Sequence, residues 1–87
     1  YRKSFMKITV KLFGPHKEKL KKDSIYLNLS DKSDISDLIL NLNQNEPGFK
    51  DNVKSYAVAV NLIYQDKDFI LNDGDEVAFI PPVSGGW

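Results

Sequence analysis

The sequence predicts an α+β domain in which a mixed sheet of four to five strands packs against one main helix. Three observations predict it. Apolar and polar residues alternate over residues 6–12, 25–30 and 76–80, the period of two expected of strands with one buried face. Between them Ile35, Leu38, Ile39 and Leu42 fall at i, i+3, i+4 and i+7, the stripe of an amphipathic helix. The 87 residues give room for one domain and one core, without a deep enclosed active site.

The elements follow in order. Met6, Ile8, Val10 and Leu12 alternate with Lys7, Thr9 and Lys11, and Gly14-Pro15 stops this first strand. The lysine-rich residues 16–24 read as a loop or hairpin connection, and Ile25, Leu27 and Leu29 form the apolar side of a second strand. The helix starts at Asp34, a good N-cap, with Asp37 three residues on as in a capping box. Pro47-Gly48 ends it, and residues 49–56 show no period. Residues 57–62 read as a third strand, and residues 63–70 have room for a short fourth. Asn72-Asp73-Gly74-Asp75 is a turn before the last strand, which Pro81-Pro82 closes because proline donates nothing to a ladder. A hairpin, a helix and further strands must share one sheet, with the helix on one face. If the last strand lies beside the first, the fold is a β-grasp. Residues 6–82 make up this domain. Residues 1–5 are set aside as an N-terminal extension or an expression remnant, and residues 83–87 form a flexible C-terminal tail.

Composition removes several function classes. Lysine plus arginine equals aspartate plus glutamate, so the chain lacks the basic excess of a general nucleic-acid binder. There is no cysteine, which excludes disulfides, thiolate nucleophiles and most structural zinc sites. Any sulfur chemistry must use sulfur brought from elsewhere. No apolar run approaches the ~18 residues of a membrane-spanning helix and no signal peptide is visible, so the expected compartment is the cytoplasm.

Conventional catalysis has few candidates. His16 is the one histidine and reads as a solvated surface residue. Asp66, Asp68, Asp73 and Asp75 lack the spacing of a calcium loop and read as turn residues, so no metal site is expected. Lys17, Lys19, Lys21 and Lys22 read as a solvated stretch. No bound cofactor is expected.

The tail reads differently. Gly85 and Gly86 carry no Cβ and can thread a channel that other residues would block. Pro81-Pro82 stiffens the exit from the sheet. A narrow tip on a rigid base suits delivery of a terminal group into another protein's active site. A frayed terminus is the competing reading.

Here the residues match a family. Val60-Asn61, then Leu71-Asn72-Asp73-Gly74-Asp75-Glu76-Val77-Ala78-Phe79-Ile80-Pro81-Pro82-Val83-Ser84-Gly85-Gly86, resembles the C-terminal third of molybdopterin synthase small subunits, the MoaD/ThiS-type ubiquitin-like sulfur carriers. Met6-Lys7-Ile8 through Leu12-Phe13-Gly14 resembles their first strand. The resemblance implies a β-grasp fold and a sulfur-carrier role without enzymatic activity of its own. An ATP-dependent adenylating enzyme of the MoeB type activates the carboxylate of the terminal glycine, here Gly86, and a sulfur relay converts it to a thiocarboxylate. The large synthase subunit, of the MoaE type, supplies the catalytic pocket in a heterotetramer, and the acceptor is a pyranopterin precursor. By the same resemblance Gly85 is the steric gate, Val83-Ser84 is the stem within the channel, and Phe13, Ile80, Pro81 and Pro82 face partners. Ordinary packing is the alternative for Phe13 and Ile80.

One residue departs from the pattern. The family ends at Gly-Gly, whereas Trp87 follows here and leaves Gly86 without a carboxylate. Trp87 is trimmed as in ubiquitin-like precursors, or is expression-derived, or marks a protein that has left the pathway. The intact signature around it favours the first two. A ubiquitin-like modifier joined through Gly86 to lysines needs the same activation, and a non-covalent interaction module with an inactive tail is the third reading.

Overall fold

The computed structural model describes residues 5–45 and 56–80, with no side-chain placement for Pro15, His16 and Lys19. Five strands and two helices are found along it. They are β1 (Phe5–Lys11), α1 (Gly14–Leu20), β2 (Ser24–Ser30), α2 (Ile35–Asn45), β3 (Ala57–Val60), β4 (Ile63–Tyr64) and β5 (Glu76–Ile80). The strands form one mixed sheet in the order β2-β1-β5-β3-β4. β1 pairs antiparallel with β2 and parallel with β5, so the last strand does lie beside the first and the fold is a β-grasp.

The alternation read from the sequence is the alternation of burial. Met6, Ile8 and Val10 on β1, Ile25 and Leu29 on β2, and Val77 and Phe79 on β5 face one side of the sheet. Ile35, Leu38 and Leu42 of α2 cover that side and complete the core with Val58, Val60 and Leu71. β1 begins one residue before the alternation, because Phe5 pairs with Ser30.

The segment read as a connecting loop contains a helix, and that expectation is corrected. α1 has Pro15 in its first turn, where the missing N–H costs nothing and the fixed φ is already helical. The Gly-Pro pair that stops β1 therefore starts α1. Lys21 closes the helix in the left-handed region, at φ 56°, and its N–H donates to the carbonyl of Lys17 (2.9 Å). The third strand ends at Val60, two residues earlier than the pattern suggests, because Asn61 and Leu62 take positive φ and form a tight turn into β4. Pro47-Gly48, read as the helix stop, lies outside the described residues.

α2 begins as its sequence indicates. Asp34 Oδ1 accepts the N–H of Asp37 (2.9 Å), and Asp37 Oδ2 accepts the N–H of Asp34 (3.0 Å), a reciprocal capping box. The next two amides are met from farther along the chain. Ile35 N–H donates to the Phe69 carbonyl (3.2 Å) and Ser36 N–H to the Lys67 carbonyl (3.0 Å).

Candidate functional site

The register of β1 and β5 decides what meets at the far end of the sheet. Val10 pairs with Val77 on the core side, and Lys11 pairs with Ala78 on the outer side. Continued two residues, this parallel register sets Phe13 level with Ile80. Phe13 keeps extended backbone, at φ −136° and ψ 155°, and its ring is 45% exposed. Ile80 is half-buried and pairs with Ala57 of β3. The two apolar residues singled out as partner contacts thus stand side by side, Phe13 just past the end of β1 and Ile80 at the end of β5, where β5 leads into the tail. Pro81, Pro82, Val83, Ser84, Gly85, Gly86 and Trp87 lie outside the described residues.

The other end of β5 is fixed by a polar clamp. Asp75 is 8% exposed, and its carboxylate is fully engaged. Oδ1 accepts from the Asn61 side-chain amide (2.9 Å), and Oδ2 accepts the N–H of Asn72 (2.8 Å). Asn61 completes the clamp, accepting the Glu76 N–H on its side-chain oxygen (3.0 Å) and donating its own N–H to the Glu76 carbonyl (2.8 Å). The turn also grips β1, since Lys7 N–H donates to Asp73 Oδ1 (2.7 Å) and Gly74 N–H donates to the Lys7 carbonyl (2.8 Å). Gly74 sits at φ +87°, a region that an L side chain enters only under strain. The Asn-Asp-Gly-Asp-Glu run is therefore a mechanical device. It locks the β3–β4 turn and the start of β5 to β1, and so sets the strand from which the tail departs. Sequence reading took these residues for a turn and a signature. The partner of Asn61 was not visible there, because it lies 14 residues away.

Asp73 and Asp75 spend their carboxylates on protein amides, and no group of three or more His, Cys, Asp or Glu side chains among the described residues is arranged to hold a metal ion. Lys17, Lys21 and Lys22 are exposed on and after α1, and Lys17 pairs with Asp23 (3.1 Å). With Gly14 and Glu18 they line a hollow of about 550 Å³ that brings charged groups together in solvent. The His16 side chain is outside the described set. No helix among the described residues is long and apolar enough to cross a membrane.

Known proteins share this arrangement. A molybdopterin synthase sulfur carrier subunit from Dictyostelium discoideum is 41% identical over 78 residues, which are 86% of this chain and 91% of that one. The chain resembles the structure of a complex of subunits 1 and 2 of the molybdopterin-converting factor from Helicobacter pylori, with a TM-score of 0.67 and 30% identity over 93% of this chain and 100% of that one. It also resembles small archaeal modifier protein 1 from Methanosarcina acetivorans, with a TM-score of 0.73 and 25% identity over 95% of this chain and 99% of that one. The ThiS family matches residues 10–86, from within β1 through the final Gly85-Gly86. Scaffold and tail are matched together, and the chain belongs to the ThiS family.

Proposed function

We propose that this chain is the sulfur-carrying small subunit of a molybdopterin synthase and that Gly86 is its carrier residue. The observation that supports this reading is a family match over residues 10–86, which reaches Gly86 and stops short of Trp87. Hydrolysis of the Gly86–Trp87 peptide bond frees a carboxylate. A MoeB-type enzyme joins that carboxylate to the AMP moiety of ATP, releasing pyrophosphate, and the sulfur relay displaces AMP to leave a thiocarboxylate. The chain needs no cysteine, because its sulfur arrives on the terminal carbonyl carbon. The thiocarboxylate sulfur then passes to the pyranopterin precursor in a pocket of the large, MoaE-type subunit. Gly85 and the Val83-Ser84 stem occupy the channel, and Phe13, Ile80, Pro81 and Pro82 seat the body against partners in a cytoplasmic heterotetramer. The clamped β5 gives the tail a fixed point of departure. That matters for delivery, because a misplacement of ~1 Å at a reacting centre can cost about 100-fold in rate.

The likeness to a small archaeal modifier protein supports a second reading, in which Gly86 is joined to lysines of other proteins. Intact mass spectrometry of the protein from its own cells separates the two. A chain ending at Gly86, with a fraction heavier by one oxygen-to-sulfur exchange, is the expected result. Gly86 found in isopeptide linkage to other proteins, with no thiocarboxylate species, establishes the modifier instead. Retention of Trp87 in every molecule overturns both and leaves a non-covalent interaction module.

A further inference from the structure

Among the described residues the sheet has two edges, and they differ. β4 is an edge of two residues entered through the left-handed Asn61 and Leu62, too short and too sharply bent to template another strand. β2 is an edge of seven residues. All seven pair one-to-one with β1, from Phe5↔Ser30 to Lys11↔Ser24, so the strand has no bulge. Ser24, Ile25, Tyr26, Leu27, Asn28, Leu29 and Ser30 include no charge and no proline. Folded proteins blunt long edges with lysine, proline, bulges or a covering element. β2 has none of the first three, and no strand among the described residues lies outside it.

We propose that the free edge of β2 is an interaction surface for a second copy of this chain, the two β2 strands pairing antiparallel about a two-fold axis at Leu27. The edge calls for an extended, uncharged, alternating partner strand, and β2 itself is such a strand. The two-fold sets Ile25 opposite Leu29 of the second copy on the core side, which continues the apolar row of Met6 and Val10. On the outer side it sets Tyr26, 76% exposed, opposite Asn28 of the second copy. Only Ser24 and Ser30 face each other at the strand ends, so no like charges meet within the paired strands. Beyond the ends the same register sets Asp23 opposite Asp31 and Lys22 opposite Lys32, exposed like-charge pairs that weaken the contact slightly. An isologous contact of this kind closes after two copies and leaves no new edge at the axis. Two seven-residue edges offer less than the ~1,200 Å² of a stable interface, so the dimer depends on concentration. The surface is independent of the sulfur-carrier reading, because β2 lies across β1 from β5 and its tail.

Sedimentation equilibrium of the full chain over a concentration series reaching the millimolar range tests this. The expected result is a mass rising from 9.9 kDa toward twice that value. The exposed pair Tyr26→Lys/Asn28→Lys, with an unchanged thermal melt, is expected to be monomeric throughout. Mixing it with Tyr26→Glu/Asn28→Glu is expected to restore a dimer containing one copy of each. A wild-type chain that stays monomeric overturns the proposal and leaves the edge to a strand of a different protein. A dimer that the lysine pair does not weaken also overturns it and places the contact elsewhere.

Discussion

Asp75 shows how a buried carboxylate is held by hydrogen bonds. Both oxygens accept hydrogen bonds, one from the Asn61 side chain and one from the Asn72 backbone, so the charge is solvated by fixed protein dipoles. Asn61 in turn depends on Asp75, since its left-handed backbone (φ 51°) is held by this contact and by Glu76. Replacing Asp75 with Ala strips the partners from two donors at once. A hydrogen bond to a charged group contributes about 1.5–3 kcal/mol, these two are part-buried, and each kcal/mol lowers Tm by roughly 4–8 °C in a domain of this size. Asp75→Ala is therefore expected to melt at least several degrees below wild type by circular dichroism. Asp75→Asn keeps one acceptor and is expected to fall between the two. Equal Tm values for wild type and Asp75→Ala would remove the clamp from the account of the fold. The pair was legible in sequence only as a shared signature. The periodicities that reveal strands and helices carry no information about which turn residue reaches which.

Among the elements, α2 was the most legible and α1 the least. For α2 the apolar stripe and the capping residues are both local in sequence, and both agree with the packing. The capping box makes a coupled prediction. Asp34→Ala and Asp37→Ala each remove one of two reciprocal bonds, and an N-cap loss costs about 1 kcal/mol. The double substitution is expected to cost less than the sum of the singles, because each bond holds the other's geometry. Urea denaturation of the four proteins checks this, and strict additivity would mean that the two bonds act separately. α1 was missed because Gly14-Pro15 reads as a breaker when only the preceding strand is considered. The same proline in a first helical turn is an initiator. The pairing of residues 67–69 with the first amides of α2 was equally hidden, since backbone carbonyls do the work there and any side chain would serve.

At the scale of the whole molecule, the parallel pairing of the first and last strands connects fold to site. It places β5 between β1 and β3, so the strand that launches the tail is central and is held on both sides. The sequence made the tail's glycines conspicuous, but it could not show that Phe13, from the start of the chain, arrives level with Ile80, because register is a long-range property. At that end of the sheet one aromatic ring is buried and another is exposed. Phe79 faces the core at 1% exposure, whereas Phe13 faces solvent at the same end of the sheet. Phe79→Ala is expected to cost about 3–5 kcal/mol, a large share of the ~5–15 kcal/mol that holds a typical domain together. Phe13→Ala is expected to change stability by less than ~0.5 kcal/mol, as surface substitutions do. If Phe13 anchors a partner, its loss removes more than ~1 kcal/mol of binding, which is about fivefold or more in Kd for the large synthase subunit. Denaturant melts paired with calorimetric titration of the large subunit read both quantities on the same two variants. A Phe13→Ala variant that binds as wild type does would return that ring to ordinary surface packing. A variant that is itself strongly destabilised would place the ring in the core's energetics, contrary to its exposure.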